Sequence, residues 1–98
     1  MIHSPTPYDE FRLTVDRHVK DLTAAGPADQ STTWYLLRYL RRLQKAIARG
    51  DDLRTLEKSV RPMVRFYLDR IDEGSDLEER CKDVLFHHRR ALRMEHHE

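Results

Sequence analysis

A cluster of positive charge at helical spacing is the clearest chemical signal in this sequence. The segment from Ser31 to Gly50 contains no acidic residue. Its cations, which we call the basic ridge, fall within roughly a third of a helix circumference. The members of the basic ridge are Arg38, Arg41, Arg42, Lys45 and Arg49. Trp34 lies on the same side, one turn before Arg38. Guanidinium groups beside an aromatic ring suit an acidic protein surface, or nucleic-acid phosphates and bases. The structural alternative is a face that is simply solvated, or one that forms internal salt bridges with acids on neighbouring helices.

Two further aromatic residues lie away from the apolar positions of their segments. Phe66 and Phe86 fall on the polar sides of the third and fourth predicted helices. Together with Trp34 they indicate a contact surface, a homodimer interface included. The alternative is that these rings close over a core wider than the pattern suggests.

The positions of three histidines in the predicted helices indicate what surrounds each side chain. His88 lies in the middle of the apolar positions of the last helix, so we expect a core histidine bonded to a tyrosine or a backbone group. Metal or haem ligation with His18, and a pH-sensitive contact, are the alternatives. His87 follows Asp83 by four residues, which predicts a surface pair. We expect no metal site and no cofactor.

Catalytic motifs are missing from the sequence. It has no paired Glu-x-x-His, no Cys-x-x-Cys, no His-Glu-x-x-His and no glycine-rich phosphate loop. Cys81, the single cysteine, falls on an apolar face, where a thiol is unreactive. We therefore expect a protein that is not an enzyme.

Helix-ending residues divide the chain into four segments of similar length. Gly26, Gly50 and Gly74 each suit the end of a helix. Capping residues open the segments: Thr6 before the first, Asp51 before the third, and Ser75 with Glu78 as a capping box before the fourth. The sequence therefore predicts four helices.

Each segment carries apolar residues three and four positions apart, which is typical of an amphipathic helix. These stripes are Tyr8, Phe11, Val15, Val19 and Leu22; Leu36, Leu37, Leu40, Leu43 and Ile47; Leu53, Leu56, Val60, Met63, Val64, Tyr67 and Ile71; and Leu77, Cys81, Val84, Leu85, His88, Ala91 and Leu92. Four stripes joined by short loops predict an all-α, antiparallel four-helix bundle. Pro62 predicts that the third helix is bent, or split in two near Arg61.

Length and composition limit the class of protein. The chain has 98 residues, 36% of them charged, and a formal net charge of +1. We expect one helical domain over 1–98, with a flexible N-terminal tail at 1–5 and a frayed C-terminus at 94–98. No apolar run is long enough to span a membrane. The single cysteine and the lack of a secretory leader favour the cytoplasm.

The charges favour an end-to-end polarity. In an up-down bundle the end of the second helix meets the end of the fourth, so that one end of the bundle gathers Arg41, Arg42, Lys45, Arg49, Arg89, Arg90 and Arg93. The predicted acidic end comprises Asp69, Asp72, Glu73, Asp76, Glu78 and Glu79. We predict a small adaptor or regulatory protein that acts through protein–protein contacts and forms a homodimer, with Trp34, Phe66, Phe86 and the basic ridge as its partner-binding residues. Nucleic-acid binding through the basic ridge is the alternative.

Overall fold

The computed structural model describes residues 5–95, and within that range all regular structure is helical. Four helices follow one another in the chain: α1 Pro7–Ala24, α2 Thr32–Ala48, α3 Leu53–Arg70 and α4 Asp76–Glu95. Gly26 and Gly50 directly follow the C-caps of α1 and α2 with a positive φ, a conformation that costs glycine little. The prediction that Gly74 ends a helix is wrong, because α3 ends at Arg70 with Ile71 as its C-cap and Gly74 lies three residues further on. The all-α prediction with four helices is thus confirmed for the described residues. Most of the predicted tail at 1–5 and of the predicted frayed end at 94–98 lies outside them.

Capping explains where the helices begin. The Thr6 hydroxyl accepts from the Asp9 amide, and the Asp9 carboxylate accepts from the Thr6 amide, which completes a capping box. Ser31 caps α2. The prediction of Asp51 as the cap of α3 is wrong by one position, because Asp52 accepts from the Thr55 amide at 2.8 Å. The Asp51 carboxylate instead pairs with Arg49.

The predicted stripes form the core. Three quarters of their residues are buried, and the other six, Tyr8, Val64, Tyr67, Leu77, Leu85 and Leu92, are partly buried against the rest. Thr14 and His18 on α1 are buried as well, although the apolar pattern did not include them. Burial of a leucine or phenylalanine side chain contributes roughly 1.5–3 kcal/mol, so the closed core is the main source of stability.

Helix α1 lies between α2 and α4, and α3 packs mainly on α2. The contact between α3 and α4 is the weakest of these helix pairs. Polar contacts fix the register of α1 on α4: Glu10 pairs with Arg90 at 3.0 Å, His18 with Asp83 at 2.8 Å, and Asp21 with Arg80 at 3.2 Å. The Tyr8 hydroxyl also donates a hydrogen bond to the backbone carbonyl of Asp51 at 3.3 Å. This bond joins the start of α1 to the loop between α2 and α3.

Helix α3 is continuous through Pro62. The predicted split near Arg61 is therefore wrong, and the predicted bend stays a prediction. Proline has no backbone N–H, so the carbonyl of Lys58 lacks its helical donor. Because Pro62 is exposed, this carbonyl lies on the side of α3 that water can reach. Across residues 5–95, no helix combines the length and the apolar character that a membrane span requires.

Candidate partner-binding surfaces

The basic ridge is present on α2 as an exposed surface. Arg38, Arg41, Arg42 and Lys45 are all exposed, and none of them forms an ion pair with any residue in the described range 5–95. Arg41 instead donates to the Thr23 hydroxyl of α1 at 3.2 Å. Within residues 5–95 the ridge is therefore not neutralised by internal salt bridges, and its four side chains face solvent.

Two arginines of the ridge lie over aromatic rings of the same helix. The guanidinium carbon of Arg38 is 5.5 Å from the centroid of Trp34, and that of Arg42 is 5.8 Å from the centroid of Tyr39. Both distances are within the range of a cation–π contact. Trp34 is also packed edge-on against Tyr35, with 4.9 Å between the ring centroids. These contacts restrict the guanidinium groups while their hydrogen-bond donors stay exposed.

A shallow depression runs beside the ridge. Its volume is about 370 Å³, and it is lined by Trp34, Leu37, Arg38, Arg41, Arg42 and Lys45. Five of these residues were predicted to bind a partner. The structure therefore brings together most of the predicted α2 residues in one concave surface with an apolar floor and a cationic rim.

Arg49 differs from the rest of the predicted ridge. It lies at the C-terminal cap of α2, and its guanidinium donates twice to the Asp51 carboxylate, at 3.2 and 2.7 Å. The hydrogen bond to Arg49 lowers the pKa of Asp51, and the same bond raises the pKa of Arg49. The charge of Arg49 is therefore compensated within the chain.

The two predicted phenylalanines have different surroundings. Phe66 is partly buried and contacts Tyr39 and Tyr35 of α2, with ring centroids 5.3 and 6.0 Å apart. It thus closes over the core between α2 and α3, as the alternative prediction stated. Phe86 is 59% exposed and meets only the edge of His87 among the described aromatic rings. The role of both residues in partner binding stays a prediction, and Phe86 offers far more free surface.

His88 is buried beside Phe11, with ring centroids 5.4 Å apart. Burial lowers its pKa, while the charge of Glu57 opposes this effect. Its Nε2 has no hydrogen-bond partner within the described part of the chain. The burial of His88 confirms the prediction that it is a core histidine. The predicted hydrogen bond to a tyrosine or a backbone group is not formed by Nε2 within the described residues.

A polar network between α1 and α4 was missed by the sequence analysis. Arg80 can only donate, so its 3.0 Å contact makes His18 Nδ1 an acceptor. The proton of the ring then lies on Nε2, which donates to Asp83 at 2.8 Å. Arg17 donates to the same carboxylate oxygen. The signal in the sequence was the position of His18 at the edge of the first stripe. The predicted surface pair of His87 and Asp83 is confirmed at 3.5 Å.

Groups suited to catalysis or metal binding are scarce in residues 5–95. Burial raises the pKa of the Cys81 thiol to about 12, so the thiolate that would act as a nucleophile is not formed near neutral pH. No group of three histidine, cysteine or acidic side chains in this range is arranged to hold a metal ion.

Comparison with known proteins adds no family to this description. No protein family model, no curated protein and no solved structure matches the chain.

Proposed function

We propose that this protein is a small non-catalytic adaptor or regulatory protein that binds an acidic protein surface through α2. The observation that carries the proposal is the row of four exposed cations of the basic ridge that have no acidic partner in the described part of the chain. Uncompensated charge costs little in water, and it becomes favourable when an acidic partner supplies carboxylates. Arginine forks pair with carboxylates through two parallel hydrogen bonds, which adds specificity to attraction.

The aromatic contacts favour a protein partner over nucleic acid. Arg38 lies over one face of the Trp34 ring, so that face does not accept a stacked base. The formal net charge of +1 is also far from the strongly basic total that is usual in nucleic-acid-binding domains. Nucleic-acid binding through the same ridge is the alternative, and the experiment below separates the two.

We infer three further features as part of this proposal. The helices run antiparallel in an up-down bundle, which is supported by the way contact positions fall on α4 as they rise on α1. The protein forms a homodimer. It works in the cytoplasm, for which the single buried cysteine is the support.

The test of the proposal is a binding titration that uses the single tryptophan as its reporter. The probe is a synthetic helical peptide rich in glutamate and leucine, compared with duplex DNA and single-stranded RNA under the same salt. We expect the peptide to change Trp34 emission, and Arg41→Ala with Arg42→Ala to weaken that binding at least tenfold, which corresponds to about 1.4 kcal/mol. Arg54→Ala with Arg65→Ala is the matched control, because it removes the same charge from exposed positions on α3.

The outcomes are distinct. Peptide binding that the ridge variant loses and the control variant keeps supports the proposal. Binding to DNA or RNA that falls steeply with salt and disappears in the ridge variant would establish the alternative. Equal affinity of the ridge variant and the wild type for every probe would overturn both functions of the ridge.

A further inference from the structure

The outward face of α4 carries three exposed residues at a regular spacing. Glu79 precedes Phe86 by seven residues, and Arg93 follows it by seven. At about 100° per residue, seven residues are close to two helical turns, so the three side chains form one line along the helix. We call this line the α4 stripe. It lies opposite the buried face of Cys81, Val84, His88 and Ala91.

The charges at the two ends of the α4 stripe have no ion-pair partner within the described residues, whereas their neighbours do. Lys82 pairs with Glu78 at 3.3 Å, and Arg90 pairs with Glu10 at 3.0 Å. Glu79 forms no such pair in residues 5–95, although its charge contributes to the raised pKa of Lys82. Arg93 likewise forms none in that range. The stripe therefore presents one free acid and one free base on opposite sides of a central apolar ring.

A groove adjoins the α4 stripe. It has a volume of about 700 Å³ and lies where α3 and α4 pack loosely, with Tyr67, Leu85 and Phe86 as its apolar lining and Arg89 among the cations at its edge. At 59% exposure, the Phe86 ring projects far enough from the helix to contact another molecule.

We propose that the α4 stripe is the surface through which two copies of this chain associate, with the two α4 helices antiparallel and Phe86 on the two-fold axis. In this arrangement the residue seven positions before Phe86 meets the residue seven positions after it in the other copy. Each Glu79 then faces an Arg93, and the two Phe86 rings meet at the axis, beside the two α3–α4 grooves. The surface is self-complementary, as a two-fold interface requires. The inference rests on the homodimer of the proposed function and specifies its geometry.

Reversal of the charges at the two ends of the α4 stripe tests the antiparallel arrangement of the two copies, because few other arrangements predict the same result. In Glu79→Arg and in Arg93→Glu, both end contacts of a homodimer become repulsive, so we expect each variant to sediment as a monomer. When the two variants are mixed, both end contacts are attractive again, and a heterodimer should form. The variant that carries both substitutions should regain the homodimer. Analytical ultracentrifugation over a wide range of concentration measures all four states, and circular dichroism verifies that helicity is unchanged.

Two further variants complete the design. Phe86→Ser should dissociate the dimer and keep the helical spectrum, since the ring is largely exposed. Asp69→Arg and Arg54→Glu change charge by the same amounts at exposed sites away from the stripe, and they should leave association unchanged. A wild type that remains monomeric at the highest soluble concentration overturns the proposal. So does a dimer that survives both single charge reversals, or one whose two variants fail to associate when mixed.

The experiment separates this proposal from the function of the basic ridge. Arg41→Ala with Arg42→Ala should lose the acidic peptide and keep the dimer, because the ridge lies on α2. Glu79→Arg should lose the dimer and keep the peptide. A wild-type monomer that binds the peptide through Phe86 would reject self-association and assign the groove to an acidic helix.

Discussion

The guanidinium of Arg38 lies over the indole of Trp34 on α2, 5.5 Å from its ring centroid. This contact holds one member of the basic ridge in place and covers the single tryptophan of the chain. It links the stability of α2 to the surface proposed to bind a partner, and each can be measured through the same fluorophore.

Removal of the Arg38 side chain should therefore have two measurable effects. In Arg38→Ala the indole becomes more accessible to water, so the Trp34 emission should shift to longer wavelength. The free energy of unfolding should fall by about 0.5–1 kcal/mol, the range of an exposed cation–π contact. Arg54→Ala on α3 is the control, and chemical denaturation followed by fluorescence measures both quantities. An unshifted spectrum in Arg38→Ala would show that the contact is not formed in solution.

We expect substitution of Asp83 to lower the free energy of unfolding more than is usual for a partly exposed residue. Its carboxylate accepts from His18 and Arg17, and His18 is buried. Asp83→Ala leaves the His18 Nε2 proton without an acceptor, which should lower the free energy of unfolding by about 1–3 kcal/mol. Asp83→Asn keeps an acceptor and should cost less. Asp69→Ala, at an exposed site of the same residue type, should change stability by less than about 0.5 kcal/mol. Equal losses in the three variants would contradict the network.

Stability should decline in mild acid because of His88. Burial lowers the pKa of this residue below its ordinary value of 6.5. As the pH falls below 6.5, the unfolded chain binds a proton that folded His88 does not, so the free energy of unfolding decreases. Above pH 6.5 this decrease in the free energy of unfolding is absent. Urea denaturation at a series of pH values should show a shallower decline for His88→Leu than for the wild type. Identical profiles for His88→Leu and the wild type would disprove this assignment.

Pro62 is expected to limit the stability of α3. The helix is continuous at this exposed position, but proline leaves the Lys58 carbonyl without its helical partner. Pro62→Ala restores that donor and should raise the free energy of unfolding by as much as about 3 kcal/mol. Arg61→Ala should have little effect. Thermal and urea denaturation provide the measurement, and a loss of stability in Pro62→Ala would indicate that the packing of α3 requires a bend.

The helices themselves follow from local chemistry, which a sequence states directly. Glycine tolerates the positive φ that ends a helix, and this holds at Gly26 and Gly50, which directly follow the C-caps of α1 and α2. The apolar spacing identified the buried face of each helix because side chains three and four apart share a side. Local chemistry does not distinguish Asp51 from Asp52 as the cap of α3, because both have the same side chain. The ion pair with Arg49 engages Asp51, which leaves Asp52 as the cap.

The candidate site was predictable to the extent that it lies on one helix. Periodicity alone places Arg38, Arg41, Arg42 and Lys45 on one side of α2, and the structure keeps them together. Which charges remain free depends on residues far away in the chain. Glu10 compensates Arg90, Asp83 compensates Arg17, and Thr23 receives the hydrogen bond of Arg41. These partners are defined by how the helices pack against one another.

Local patterns of residues predict four amphipathic helices, most of their ends and their buried faces, because backbone preferences and the burial of apolar side chains act over a few residues at a time. The packing of the helices, in contrast, leaves Phe86 exposed while Phe66 closes over the core, and holds His18 between Asp83 and Arg80. Helix rotation and register set these relationships. Both depend on how four whole surfaces fit together, and no local pattern of residues contains that information.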